Sequence, residues 1–125
     1  MLATTSTEYG FETITLAELD GLAQEQRDVL PFGVIGMGAD FMAEIYNATE
    51  SRLAGISPGR VLGIQFFLNI GICMNNYLVS QRFEDEPELD TIIDYVLTLR
   101  MRPTPVRLRL LQSPSIPRRY ILTQR

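Results

Sequence analysis

The sequence predicts an α+β domain built on an antiparallel sheet. Three observations carry this expectation. A chain of 125 residues holds one domain and no second core. Its strand-like segments fall in two groups, at 31–46 and 91–123, around a middle rich in helix caps and prolines. Val106, Leu108 and Leu110 alternate with Arg107 and Arg109, the pattern of a half-buried antiparallel strand with its arginines outward.

Taken in order, residues 1–10 are polar and expected to be loosely held. Thr15-Leu16-Ala17-Glu18 is a capping box, with Thr15 accepting from the Glu18 amide and Glu18 reaching back. It opens a helix over 16–29, weakened at Gly21 and stopped by Pro31. Strands at 31–37 and 41–46 flank the turn Gly38-Ala39-Asp40 and form a hairpin. Asn47 caps a short helix closed by Gly55. Ser57-Pro58 opens another short turn to Leu62. The apolar stretch 66–72 is expected to be buried, and 75–83 helical. Segment 91–101 reads as a long strand, 102–104 as a turn, 113–117 as a second turn, and 120–123 as a closing strand. The middle helices are the expected cover of the sheet, and the crevice between them the ligand site.

Composition excludes several chemistries. Hydrophobic residues make up 46% and charged residues 21%, an ordinary globular balance. No apolar run approaches ~18 residues, so no membrane-spanning helix is expected. There is no His, Lys or Trp. An imidazole base, a His-ligated metal, a Walker A lysine and a Schiff base are therefore all missing, and no enzyme is expected. One cysteine, Cys73, allows neither an internal disulfide nor a Cys-only zinc site. That unpaired thiol, with a start at Met1-Leu2-Ala3-Thr4-Thr5 unlike an export signal, predicts a cytoplasmic protein.

The net charge of −4 argues against nucleic-acid binding. Its distribution is uneven. All 11 basic residues are arginines, seven of them at or after Arg100, and residues 84–90 form an acidic block. The simplest reading is two solvated faces that complement each other across the fold.

Tyr46 and Glu50 stand four apart at a helical start, so both side chains can point one way. Aimed into an apolar crevice, a Tyr and a protonated carboxyl both donate to one oxygen, and burial keeps the acid protonated. The ordinary alternatives are an exposed Glu50 and a core Tyr46. Cys73 closes the apolar Ile70-Gly71-Ile72; such a thiol is usually inert core. Without a neighbouring base, the chemistry left to it is a slow, one-time acylation or alkylation, the attachment of a cofactor.

Tyr46-Asn47-Ala48-x-Glu50, then Gly55, Pro58, Val61-x-Gly63, Phe66-Phe67 and Cys73 closely resemble the photoactive yellow protein family of PAS-fold blue-light receptors. Leu30-x-Phe32-Gly33-x-Ile35 upstream and Met101-x-Pro103-Thr104-x-Val106 downstream extend the resemblance from Leu30 to the C-terminus. It implies a PAS fold: a central five-stranded antiparallel sheet flanked by short helices, with residues 1–29 as an N-terminal cap on a core of 30–125. It also implies p-coumaric acid (4-hydroxycinnamic acid) held by a thioester to Cys73, with the Cys73 N–H on the thioester carbonyl. Tyr46 and protonated Glu50 would hydrogen-bond its phenolate. Light would isomerise the double bond, Glu50 would pass its proton to the phenolate, and the buried carboxylate would drive partial unfolding of the cap.

By the same resemblance, the pocket would be lined by Ile35, Ala54, Ile56, Phe66, Ile70, Ile72, Leu97, Leu99 and Met101, the last aligned with a residue that assists dark recovery. An unidentified signalling protein, and a monomer or weak homodimer with no membrane contact, complete the expectation. Several positions depart from the family pattern. Ile56 stands where an Arg gate is common, Ala54 where a Thr hydroxyl supports the tyrosine, Ile72 where Pro precedes the cysteine, and Leu97 and Leu99 where aromatics are usual. The alternative is a chromophore-free PAS module that binds a small ligand or a protein partner.

Overall fold

The computed structural model describes residues 9–98 and 102–125. Five strands form one sheet: β1 (Gly33–Met37), β2 (Ala43–Tyr46), β3 (Leu89–Leu97), β4 (Thr104–Ser113) and β5 (Ile116–Gln124). Their order across the sheet is β2-β1-β5-β4-β3, and every neighbouring pair is antiparallel. Between β2 and β3 the chain leaves the sheet and forms α3 (Ala48–Ala54), α4 (Phe66–Asn69) and α5 (Ser80–Asp85). Their apolar side chains cover one face. Phe66, Phe67 and Phe83 pack there with Ile35, Met37, Leu97, Leu108 and Ile121 in one buried cluster.

The second face is covered too. Before β1 the chain forms α1 (Leu16–Gly21) and α2 (Gln24–Asp28). Phe11, Ile14 and Leu19 pack there on Val34, Leu111, Tyr120 and Leu122. Alternation along the strands explains the division. In β5, Tyr120 and Leu122 face this N-terminal segment while Ile121 faces the helices.

The capping box forms as read: the Glu18 N–H donates to Thr15 Oγ1 (3.1 Å), and the Thr15 N–H donates to Glu18 Oε1 (2.9 Å). The single helix expected over 16–29 is instead two. Leu22 and Ala23 are extended, and the Ala23 N–H donates to the Gln26 side chain (2.8 Å), which starts a new helix. Buried Arg27 folds back to donate to the carbonyls of Leu19 (3.1 Å) and Asp20 (3.2 Å). A helix end beside Gly21 is thus satisfied by a side chain rather than by another turn.

The β1–β2 connection is a tight turn over Ala39–Phe41, with Asp40 and Phe41 both at positive φ. Gly55 ends α3 at φ 74, the left-handed geometry that favours glycine. The helix expected over 75–83 begins only at Ser80, because Asn75 and Asn76 bond locally to the Ser80 hydroxyl and to the Leu78 and Val79 N–H groups.

The alternation in β4 is as expected, but its arginines lie against the N-terminal segment, Arg109 buried and Arg107 partly exposed. Arg109 donates to the carbonyls of Phe11 (3.0 Å) and Ile14 (2.7 Å) and grips Asp90 of β3 through two bonds (2.9 and 3.0 Å). Arg107 pairs with Glu12 at 2.7 Å and lies over the Phe11 ring. The basic strand is thus the seat of the N-terminal segment. Arg109→Met would leave two buried carbonyls and Asp90 without their donor, at a cost of about 1–3 kcal/mol. Hydrogen exchange should rise first in the Phe11–Leu22 stretch, with β1 and β5 still protected.

Candidate functional site

The site grows from the junction of β2 and α3. Tyr46 is the last residue of β2, Asn47 caps α3, and Glu50 lies in its first turn. The Tyr46–Glu50 pair therefore spans a strand-to-helix corner rather than one helical turn. Asn47 is fully buried, and its side chain makes four hydrogen bonds. Its Oδ1 accepts from the N–H groups of Val34 (2.9 Å) and Glu50 (3.0 Å). Its Nδ2 donates to the carbonyls of Arg27 (2.7 Å) and Phe32 (3.1 Å). The Thr49 hydroxyl adds a bond to the Leu30 carbonyl at 2.5 Å. The first turn of α3 is thereby fixed both to β1 and to the end of the N-terminal segment.

Glu50 is buried against the sheet. Its Oε1 accepts from the Thr123 hydroxyl at 2.5 Å, and its Oε2 accepts from Arg125 Nη2 at 3.0 Å. The ion pair is sheltered, with side chains only 4% exposed for Glu50 and 16% for Arg125. Gly33 makes this approach possible. A Cβ there would sit 2.1 Å from Glu50 Oε1 and 2.2 Å from the Thr123 hydroxyl, so any side chain would evict the carboxyl.

Burial pushes the Glu50 carboxyl above its ordinary value; the Thr123 bond and Arg125 pull the other way. Burial, then the nearby Glu50 charge, pushes the Tyr46 phenol up as well, so Tyr46 is a hydrogen-bond donor across the physiological range.

Cys73 lies in a single 3-10 turn, Ile72–Met74, at the edge of the helix-side cluster and half-buried. Its carbonyl accepts from the Tyr95 hydroxyl (2.5 Å) and from Asn76 Nδ2 (3.2 Å). Asn76 Nδ2 also donates to the Tyr95 oxygen at 2.7 Å. Strand β3 thus holds the cysteine turn through the turn's main chain.

Of the expected lining residues, Ile35, Phe66 and Leu97 lie in the same buried cluster as Tyr46, and Ile56, Ile70 and Cys73 pack on its margin. Ala54 is buried in α3. Ile72 is 61% exposed, its side chain turned out while its neighbours turn in. Leu99 and Met101 lie outside the described residues. Arg125, Thr123, Tyr95 and Asn76 were not expected at the site. Thr123 and Arg125 have a faint signal: spaced by two from Ile121 onward, Thr123 lies on the Ile121 face of β5 and Arg125 follows just past the strand's end.

A sheet of this strand order, with its helical excursion after the second strand, is the PAS architecture. The PAS domain of an HTR-like protein from Haloarcula marismortui has the same fold, with a TM-score of 0.65 at 14% identity over 87% of this chain and 98% of that one. No family model matches the chain. A photoactive yellow protein of Rhodothalassium salexigens is 31% identical over 106 residues, 82% of this chain and 84% of that protein. One from Halochromatium salexigens is 28% identical over 95 residues, 74% and 76% of the two chains. The photoactive yellow protein domain of the sensor histidine kinase Ppr from Rhodospirillum centenum superposes with a TM-score of 0.80 at 33% identity, over 87% of this chain and 98% of that domain.

The domain is therefore a PAS sensor module. More narrowly, the chain belongs to the photoactive yellow protein family. Among the described residues no helix is long and apolar enough to cross a membrane.

The raised Glu50 pKa carries a pH signature. A carboxyl whose folded pKa lies above the ordinary 4.5 contributes stability below that value and loses it as pH rises through the folded value. Glu50→Gln removes this titration. The urea midpoint of the native protein should fall relative to that of Glu50→Gln as pH rises from 4.5. Parallel profiles would mean that Glu50 titrates normally.

Proposed function

We propose that this chain is a blue-light sensor that carries p-coumaric acid as a thioester on Cys73. The observation that carries the reading is a buried acid and a buried tyrosine at one sheet-facing corner, served by an apolar cluster with the sole cysteine on its margin. The donor set suits a phenolate: Tyr46 keeps its proton, and Glu50 is biased toward keeping its own. Two donors of this kind are what an anionic oxygen needs when removed from water. The half-buried thiol is reachable for acylation, and the bonds on its carbonyl fix the turn that presents it.

Bound p-coumaric acid would supply a light-driven trans–cis isomerisation. The chain's own part is then electrostatic. With that group bound, Glu50 would be neutral in the dark and would give up its proton to the phenolate oxygen in the light, becoming a carboxylate where charge is costly. The first turn of α3 feels that change and is bonded through Asn47 to Arg27 and through Thr49 to Leu30. Segment 1–29 is the element set to respond, as a cap on the core 30–125. The module itself is non-enzymatic and cytoplasmic, and it reports to a signalling protein.

Expression with chromophore-activating enzymes, followed by mass spectrometry, tests the attachment. The expected result is a gain of one p-coumaroyl group on Cys73, with a yellow protein, and no gain in Cys73→Ala. An unmodified, colourless chain would favour the chromophore-free PAS module. In the loaded protein, illumination should raise hydrogen exchange in residues 9–29 ahead of the sheet. Equal exchange in light and dark would refute the cap as the responding element.

A further inference from the structure

Arg125 has no part in the light-sensing scheme, yet it makes a direct ion pair at the site. Its side chain is largely buried and bonds the acid on which that scheme turns. Among the described residues, few other polar groups reach this spot. Tyr46 faces it from β2 and Thr123 from β5, while β1 offers only Gly33. On its outer side Arg125 borders Asp94 and Arg107, and Arg107 is already engaged with Glu12 and Gln124.

We infer that Arg125 is the counter-ion of Glu50, the residue that sets which of the two protonation states the acid prefers and how long a charged Glu50 persists. A carboxylate formed here is met by a guanidinium already within hydrogen-bond distance. Part of the cost of burying the charge is thereby offset, and the charged state is held rather than returned at once. When the acid is neutral, the same guanidinium is left to balance an anion brought alongside. Arg125 is thus a positioning residue acting through Glu50. Its consequence in the light rests on the sensor reading; its effect on the Glu50 titration does not.

Two experiments separate these consequences. In the chromophore-free full chain, the Glu50 side-chain carboxyl is followed by carbon NMR across pH. Arg125→Gln, which keeps a donor but removes the charge, should move the Glu50 midpoint up by about 1–3 pH units. Arg125→Lys should restore most of the native midpoint. An unmoved midpoint in Arg125→Gln, or the same midpoint in Gln and Lys variants, overturns the inference. Should Arg125→Gln fail to fold, the Arg125→Lys variant decides. A Glu50 midpoint within about one pH unit of the native value then supports the inference, and a larger rise overturns it.

In chromophore-loaded protein, Arg125→Gln should shorten the lifetime of the charged-Glu50 state, by up to about tenfold for each pH unit by which the midpoint rises. An unchanged lifetime overturns the light-state part. A raised midpoint in a chain that takes no chromophore upholds the counter-ion and refutes only the sensor.

Discussion

The placement of Glu50 depends on the four hydrogen bonds of the Asn47 side chain. One amide joins β1, the start of α3, and the end of the N-terminal segment. Burial removes the competition of bulk water, so an unmet bond there costs far more than a surface one. Glu50 is aimed at the sheet because Asn47 sets the angle at which α3 leaves β2. Gly33 then leaves the space into which the carboxyl fits. Removing either feature would change the position of the acid before changing its chemistry.

The sheet is covered on both faces, by different parts of the chain and in different ways. On the helix side, aromatic and aliphatic side chains meet with rings edge to face, as between Phe66 and Phe67 or Phe41 and Phe67. On the other side a smaller apolar cluster is supplemented by polar anchors. Arg109 holds the Phe11 and Ile14 carbonyls, and the Tyr120 hydroxyl donates to Asp20 at 2.7 Å. Arg118 joins Asp20 to Glu44 of β2. Such charged contacts are directional and weaken when geometry changes, whereas non-directional apolar attraction tolerates small shifts.

Local signals in the sequence are reliable where the physics is local. The Thr15 capping box, the Asn47 cap, the Gly55 stop and the β4 alternation each involve residues within a few positions of one another, and each forms. The two halves of the N-terminal helix are hard to separate in the sequence, because the local Ala23–Gln26 cap is joined by Arg27 reaching back to Leu19 and Asp20. The face given to the β4 arginines is missed for a related reason. Alternation says which residues share a side, but not whether water or the N-terminal segment lies there. Tyr46, Glu50 and Cys73 stand out through the pattern they make together. Arg125 does not, because its importance comes from a partner 75 positions away.

The bonds of Thr123 and Arg125 to one carboxyl also bear on how the closing strand is assembled. Both donors lie on the same face of the chain's end, and Thr123 stands opposite Gly33 in the β1–β5 pairing. Sliding that strand by one residue would turn Leu122 and Gln124 inward and strip the acid of both donors at once. A slip that brings Leu122 to that position would thus leave a buried carboxyl facing an apolar side chain. The contacts that tune the acid thereby also favour one register of β5 over its neighbours.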